Sequence, residues 1–107
     1  LKVGRHIRPK PSFKLIVARE EGESRFLHGY RYRYKSLTTT SHAGPVVLII
    51  GELDAEDLVL AAQITARFSQ GRDDSEVTLQ LEDSENKKQS VTVVPIKADK
   101  VLPEWYV

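Results

Sequence analysis

Six consecutive residues, Tyr30-Arg31-Tyr32-Arg33-Tyr34-Lys35, alternate a phenol ring with a cation. In an extended strand, where side chains change face with a period of two, the three rings would share one face and the three cations the other. Two outcomes follow. The tyrosines could pack on the core with their hydroxyls at the rim, leaving the cations as a solvated face. Alternatively, Arg31, Arg33 and Lys35 neutralise phosphates while the tyrosines at the strand ends offer a stacking surface to unpaired bases. The two are compatible, because tyrosine is amphipathic and the planar guanidinium matches a phosphate with two parallel donors.

No other local pattern points to catalysis. Gly44-Pro45 and Gly51 lack the G-x-x-x-x-G-K-[ST] spacing that cradles phosphates, and no G-x-G-x-x-G opens a helix. His6, His28 and His42 are scattered without metal-ligand spacing, there is no cysteine, and no nucleophile stands in a known elbow motif. The acidic run Asp73-Asp74-Ser75-Glu76 lacks calcium-loop spacing and reads as a solvated turn. The expectation is a non-catalytic domain with no cofactor and no metal.

The charge distribution is more telling than its total. Formal net charge is +1, yet residues 1–36 hold ten Lys/Arg against three acids, net +7, and residues 37–107 hold six against twelve, net −6. Segregation of this kind is the footprint of a polyanion binder, unless the fold interleaves the two halves. At 107 residues with 40% hydrophobic content, the chain has the size and composition of one folded domain. Its longest aliphatic run, residues 46–50, is far short of the ~20 residues a membrane-spanning helix needs. The chain contains no methionine, and it reads as a piece of a longer polypeptide, with the cytoplasm as the expected compartment.

The elements that must position these residues read as an α+β domain: a small mixed sheet, one main covering helix and a C-terminal hairpin. Asp54 is a natural N-cap with Asp57 three residues on, and Leu53 and Leu58 stand at staple positions. Leu58, Ala61, Ala62, Thr65 and Phe68 fall at helical spacing, predicting a helix over 55–70 with Gly71 as a left-handed terminator. The run 46–50, between Gly44-Pro45 and Gly51, predicts a central strand buried on both faces. Alternation in Val77, Leu79, Leu81 and in Val91, Val93 predicts a hairpin over 76–95 with its turn at 83–88. Residues 3–8 and 13–18 are strand candidates separated by the turn Pro9-Lys10-Pro11-Ser12, and 22–29 could form one helical turn. Trp105 and Tyr106 are expected to dock on the body, since exposed large aromatics are costly.

These segments, set side by side, resemble a known family. Gly44-Pro45-Val46-Val47-Leu48-Ile49-Ile50-Gly51, then Ala61-Ala62, then Arg67-Phe68-Ser69-Gln70-Gly71-Arg72 resemble the NFACT-R RNA-binding domain. The opening, Val3-Gly4-Arg5-His6-Ile7-Arg8 and Lys14-Leu15-Ile16-Val17-Ala18-Arg19, is similar to the variant fused C-terminal to the PP-loop ATPase domain of predicted tRNA thiouridylase-like proteins. The chain departs from the family pattern at Ala18-Arg19-Glu20, where Gly-Arg-Asn is common, at Gln70, where a lysine is common, and at Val46, where a histidine often follows Gly-Pro. The resemblance implies an accessory module that binds RNA, tRNA first among candidates, for an upstream catalytic domain of the same chain. Candidate phosphate contacts are then Arg5, Arg8, Arg19, Arg31, Arg33, Lys35, Arg67 and Arg72. The competing reading is a protein-interaction domain docked on that ATPase domain through the apolar segment 102–107.

Overall fold

The structure, a computed structural model, describes residues 3–107 and bears out the α+β class. Six strands form one sheet: β1 (Arg5–Lys10), β2 (Phe13–Val17), β3 (Lys35–Thr39), β4 (Val47–Gly51), β5 (Val77–Glu82) and β6 (Lys88–Val93). Their order across the sheet is β1-β2-β4-β3-β5-β6, and every pairing is antiparallel, where a mixed sheet had been expected. Two helices, α1 (Glu21–His28) and α2 (Ala55–Arg67), lie on opposite faces.

The central strand sits where its composition demands. β4 pairs with β2 through Leu15↔Ile49 and with β3 through Leu37↔Val47, so both its edges are closed. Val47 and Ile49 enter the main core beneath α2, while Leu48 enters a second, smaller cluster on the far face with Ile16, Ala18 and Leu27. That division explains the unbroken aliphatic run, since a strand covered on both faces has no solvent side on which to place polar residues.

α2 begins as expected. The Asp54 carboxylate accepts from the Asp57 amide at 2.7 Å and Asp57 accepts from the Asp54 amide at 3.2 Å, closing a reciprocal capping box. Its buried face is built from Ile64 and the small residues Ala61, Ala62, Thr65 and Ala66, which let the helix approach the sheet closely. The helix stops at Arg67, three residues before the expected end, and Gly71 is not a left-handed terminator. The described glycines with positive φ are Gly4 and Gly51. Gly71 is required for space instead: a Cβ there would lie 2.8 Å from the His42 ring and from Val77 Cγ2.

The hairpin closes as expected, with Val77↔Val93 to Glu82↔Lys88 in register. Its turn is held by the Asp83 carboxylate, which accepts from the amides of Glu85 and Lys87, and by Asn86 at φ 65. At the start of the chain, β1 runs on through Pro9 to Lys10, so the turn is shorter than expected. Proline is tolerated there because β1 is an edge strand. The C-terminal segment folds back along that edge. Trp105 packs on the main core, Tyr106 bridges to Ile7, and the Val107 amide donates to the His6 carbonyl at 3.0 Å.

Candidate nucleic-acid interface

The cation-tyrosine run is not a strand. Its backbone continues the turns of α1: the Tyr30 amide donates to Leu27 O at 2.9 Å, Arg33 to Tyr30 O at 2.9 Å and Tyr34 to Tyr30 O at 3.2 Å. Only Lys35 belongs to a strand, as the first residue of β3. The physical reason is a competing period. Leu27, Tyr30 and Tyr34 stand at i, i+3 and i+7, and this spacing lays all three on the small far-face cluster. Leu27 is fully buried, with Tyr30 and Tyr34 partly so, whereas Tyr32 turns outward at 58% exposure. The period of two therefore does not sort rings from cations.

The resulting surface is aromatic and basic together. Phe26 is 48% exposed and its ring lies 5.5 Å from that of Tyr30, tilted by 50°. The Arg31 guanidinium sits 4.3 Å from the Tyr32 ring centroid, donates to the Tyr32 hydroxyl at 2.6 Å, and also donates to the His28 carbonyl at 3.0 Å. Arg33 is exposed and makes no side-chain hydrogen bond or ion pair among the described residues. No Asp or Glu occurs between Glu23 and Glu52, so these cations have no acid on their own segment. Lys14 lies on the same sheet face, opposite Ile50, and its charge, after burial, helps push the His6 imidazole below its ordinary range.

At the other end of α1 is an open cleft of about 540 Å³. Ala18, Arg19 and Glu20 follow β2 into it, and Glu21 and Ser24 come from the first turn of α1. Ala43, Gly44 and Pro45 supply the wall from the β3–β4 loop, and Phe68 and Gln70 the wall beyond α2. The walls are tied together. The Gln70 amide donates to Ala43 O at 2.8 Å, the Ala18 amide to Val46 O at 3.1 Å, and the Val46 amide to Ser24 Oγ at 3.3 Å. Gly44 permits this closure, because a Cβ would lie 2.7 Å from Thr39 Oγ1 and 2.9 Å from Ser69 Cβ. Outside the cleft, Ser41 Oγ and Asp74 bracket the His42 ring at 2.7 and 2.6 Å, latching the β3–β4 loop to the segment after α2.

Glu23 organises the cleft from behind. Its carboxylate accepts from the Arg19 backbone amide at 2.8 Å, from Arg19 Nε at 3.1 Å, from the Arg19 guanidinium terminus at 2.8 Å and from the Gly4 amide at 3.3 Å. These donors, the Arg19 side chain first, hold the carboxyl down at about 2. Residues 18–20, Gly44-Pro45, Phe68 and Gln70, far apart in the sequence, thus converge on one place, and Ala18-Arg19-Glu20 and Gln70 among them are where the chain departs from the common family pattern.

The model of the NFACT protein RNA binding domain matches residues 4–106. The chain belongs to this RNA-binding family. No curated protein matches it. Among solved structures, the C-terminal part of the fibronectin/fibrinogen-binding protein from Streptococcus suis superimposes with a TM-score of 0.79 at 16% identity. The match covers 98% of this chain and 50% of that one, so this NFACT domain spans half of the solved chain, and at that identity the likeness is one of fold.

The eight cations singled out from the sequence of the NFACT domain do not form one surface. Arg5 lies with its guanidinium 5.5 Å from the Phe68 ring centroid, beside the cleft, where Arg19 is also found. Arg67 and Arg72 fold back beyond α2, Arg67 onto the Arg72 carbonyl and Asp73, Arg72 onto the Ser69 carbonyl. Arg8 turns onto the Pro11 carbonyl at 3.0 Å. Lys35 opens β3 at the end of the sheet remote from the cleft, near the start of α2. Arg31 and Arg33 share the turn after α1. Sequence reasoning missed Phe26, Ser24, Glu20 and Gln70 as surface or cleft residues; the signal for Phe26 and Ser24 lay in the helical spacing of 21–34, which the alternation masked, and Glu20 and Gln70 carried none. Among the described residues no cluster of three or more His, Asp or Glu could hold a metal, and no helix is long and apolar enough to cross a membrane.

Proposed function

We propose that this domain holds structured RNA, tRNA foremost, for a catalytic domain elsewhere in its own polypeptide, of the PP-loop ATPase type found in tRNA thiouridylase-like proteins, in the cytoplasm. Membership of the NFACT RNA-binding family supports RNA as the partner. The observation that carries the reading to a surface is the set of exposed rings, Phe26 and Tyr32, with Arg31 stacked on Tyr32 and Arg33 exposed on the same acid-free segment. Aromatic faces stack unpaired bases whatever their sequence, and arginine supplies phosphate neutralisation beside them. Arg5, Arg8, Lys35, Arg67 and Arg72 extend this set as peripheral phosphate contacts, while the Arg19 guanidinium, held by Glu23, is a structural member of the same face. The domain contributes positioning, and the chemistry belongs to its partner domain. The rival reading is docking through the apolar segment 102–107: Trp105 is taken up by this domain's own core, while the side chains of Leu102, Tyr106 and Val107 stay exposed.

The test is a titration of a tRNA transcript against the wild-type chain and an Arg31→Glu/Arg33→Glu variant at about 50 and about 200 mM salt, with folding checked by circular dichroism. Affinity should fall with salt at roughly 0.7 to 0.9 log units per neutralised phosphate, and the variant should bind more weakly with a shallower slope. Equal affinity and slope in the folded variant would remove the turn from the interface, and no binding by wild type at low salt would end the RNA reading.

A further inference from the structure

The cleft at the start of α1 differs in chemistry from the basic turn at its end. Its volume lies within the roughly 300–1,000 Å³ typical of small-molecule sites. The Arg19 guanidinium in its wall is committed to Glu23 and the Glu21 carboxylate to Arg25, and Arg5 lies over the Phe68 ring outside the lining, which leaves Glu20 as the lining charge without an ion pair among the described residues and disfavours a phosphate group there. A flat, uncharged group with a hydrogen-bonding edge fits better. Phe68 offers an aromatic wall, and the side-chain amide of Gln70, which makes no hydrogen bond among the described residues, offers a donor beside an acceptor. The Ser24 hydroxyl, which accepts from the Val46 amide, keeps its own proton to donate.

We infer that this cleft takes one unstacked nucleobase of the bound RNA, and that it favours adenine and cytosine, whose exocyclic amine stands where uracil carries a carbonyl oxygen. The reading rests on the RNA-binding function proposed above and adds a specificity site to it. Carboxylates accept hydrogen bonds and cannot donate them, so Glu20 rewards the amine of adenine or cytosine and repels the carbonyl oxygen that uracil presents at the same position. The eight residues of α1 put the cleft about 12 Å from the basic turn, a distance a short single-stranded segment spans with its phosphates over the cations and one base turned in.

The experiment measures anisotropy of fluorescein-labelled oligoadenylate, oligocytidylate and oligouridylate of equal length with the 107-residue chain and with a Glu20→Gln/Gln70→Ala variant. Both substituted side chains are exposed, so the fold should persist. Wild type should prefer the adenine and cytosine oligomers to uridylate by roughly tenfold, as a good bidentate base contact allows. In the variant the three should converge to within about twofold while the salt slope is retained, which separates base selection from phosphate binding. Uridylate binding as tightly as the others to wild type, or a preference that survives in the variant, overturns the inference while leaving the RNA reading intact. Absence of salt-dependent binding to all three oligomers overturns both. Adenosine monophosphate displacing oligoadenylate with equal affinity would reassign the cleft to a free nucleotide and overturn the RNA source.

Discussion

Leu27→Ala should detach the side of the molecule proposed to face RNA before it unfolds the whole. Leu27 is the single fully buried residue of α1 and anchors it to Ile16, Ala18 and Leu48. The substitution removes three carbons, about 2.4 kcal/mol at ~0.8 kcal/mol for each, and the cavity left behind brings the usual range for a buried leucine to about 2–5 kcal/mol. Eight residues are too few to stay helical in water without tertiary support, so α1 and the turn after it depend on this contact. The loss in global stability is therefore capped by the free energy that docks α1, because beyond that point the segment opens locally while the α2 side of the sheet survives. Urea denaturation should show a loss of about 2–3 kcal/mol, with melting about 4–8 °C lower for each kcal/mol. Hydrogen exchange should accelerate over 21–34 and hardly at all in β5 and β6. Affinity for the tRNA transcript should fall with it. A loss below about 1 kcal/mol, with exchange over 21–34 unchanged, would refute the role given to the far-face cluster.

The Glu23 carboxyl titrates at about 2 in the folded chain against 4.5 for the free group, so its contribution to stability is fully present above about 4.5 and is lost as pH falls toward 2. Melting temperature measured from pH 6 to pH 2 should decline through that window, and Glu23→Gln should flatten the decline; an unchanged profile would contradict the Arg19–Glu23 fork. Asp54→Ala should cost about 0.5–2 kcal/mol in urea denaturation by opening the capping box of α2, while RNA affinity at low denaturant stays close to wild type, because Lys35 alone of the proposed contacts lies near the start of α2.

The legible parts of this protein were those set by strong local physics. The capping pair Asp54 and Asp57, the helical spacing through Thr65, the doubly buried aliphatic strand and the alternating hairpin each have one low-energy solution, and the sequence states it. The segment 30–35 has two. Its alternation satisfies a strand of period two, yet Leu27, Tyr30 and Tyr34 also satisfy a helical period, and only the existence of a second apolar patch on the sheet, made by Ile16 and Leu48, decides between them. Gly71 likewise reads as a helix terminator until His42 and Val77, distant in sequence, are seen to crowd it. The cleft was invisible for the same reason: its walls come from four stretches of chain that carry no common spacing and meet because β4 inserts between β2 and β3. Local sequence fixes an element when the element's own contacts outweigh its alternatives; where they are balanced, or where a site is assembled across the sheet, the long-range packing chooses.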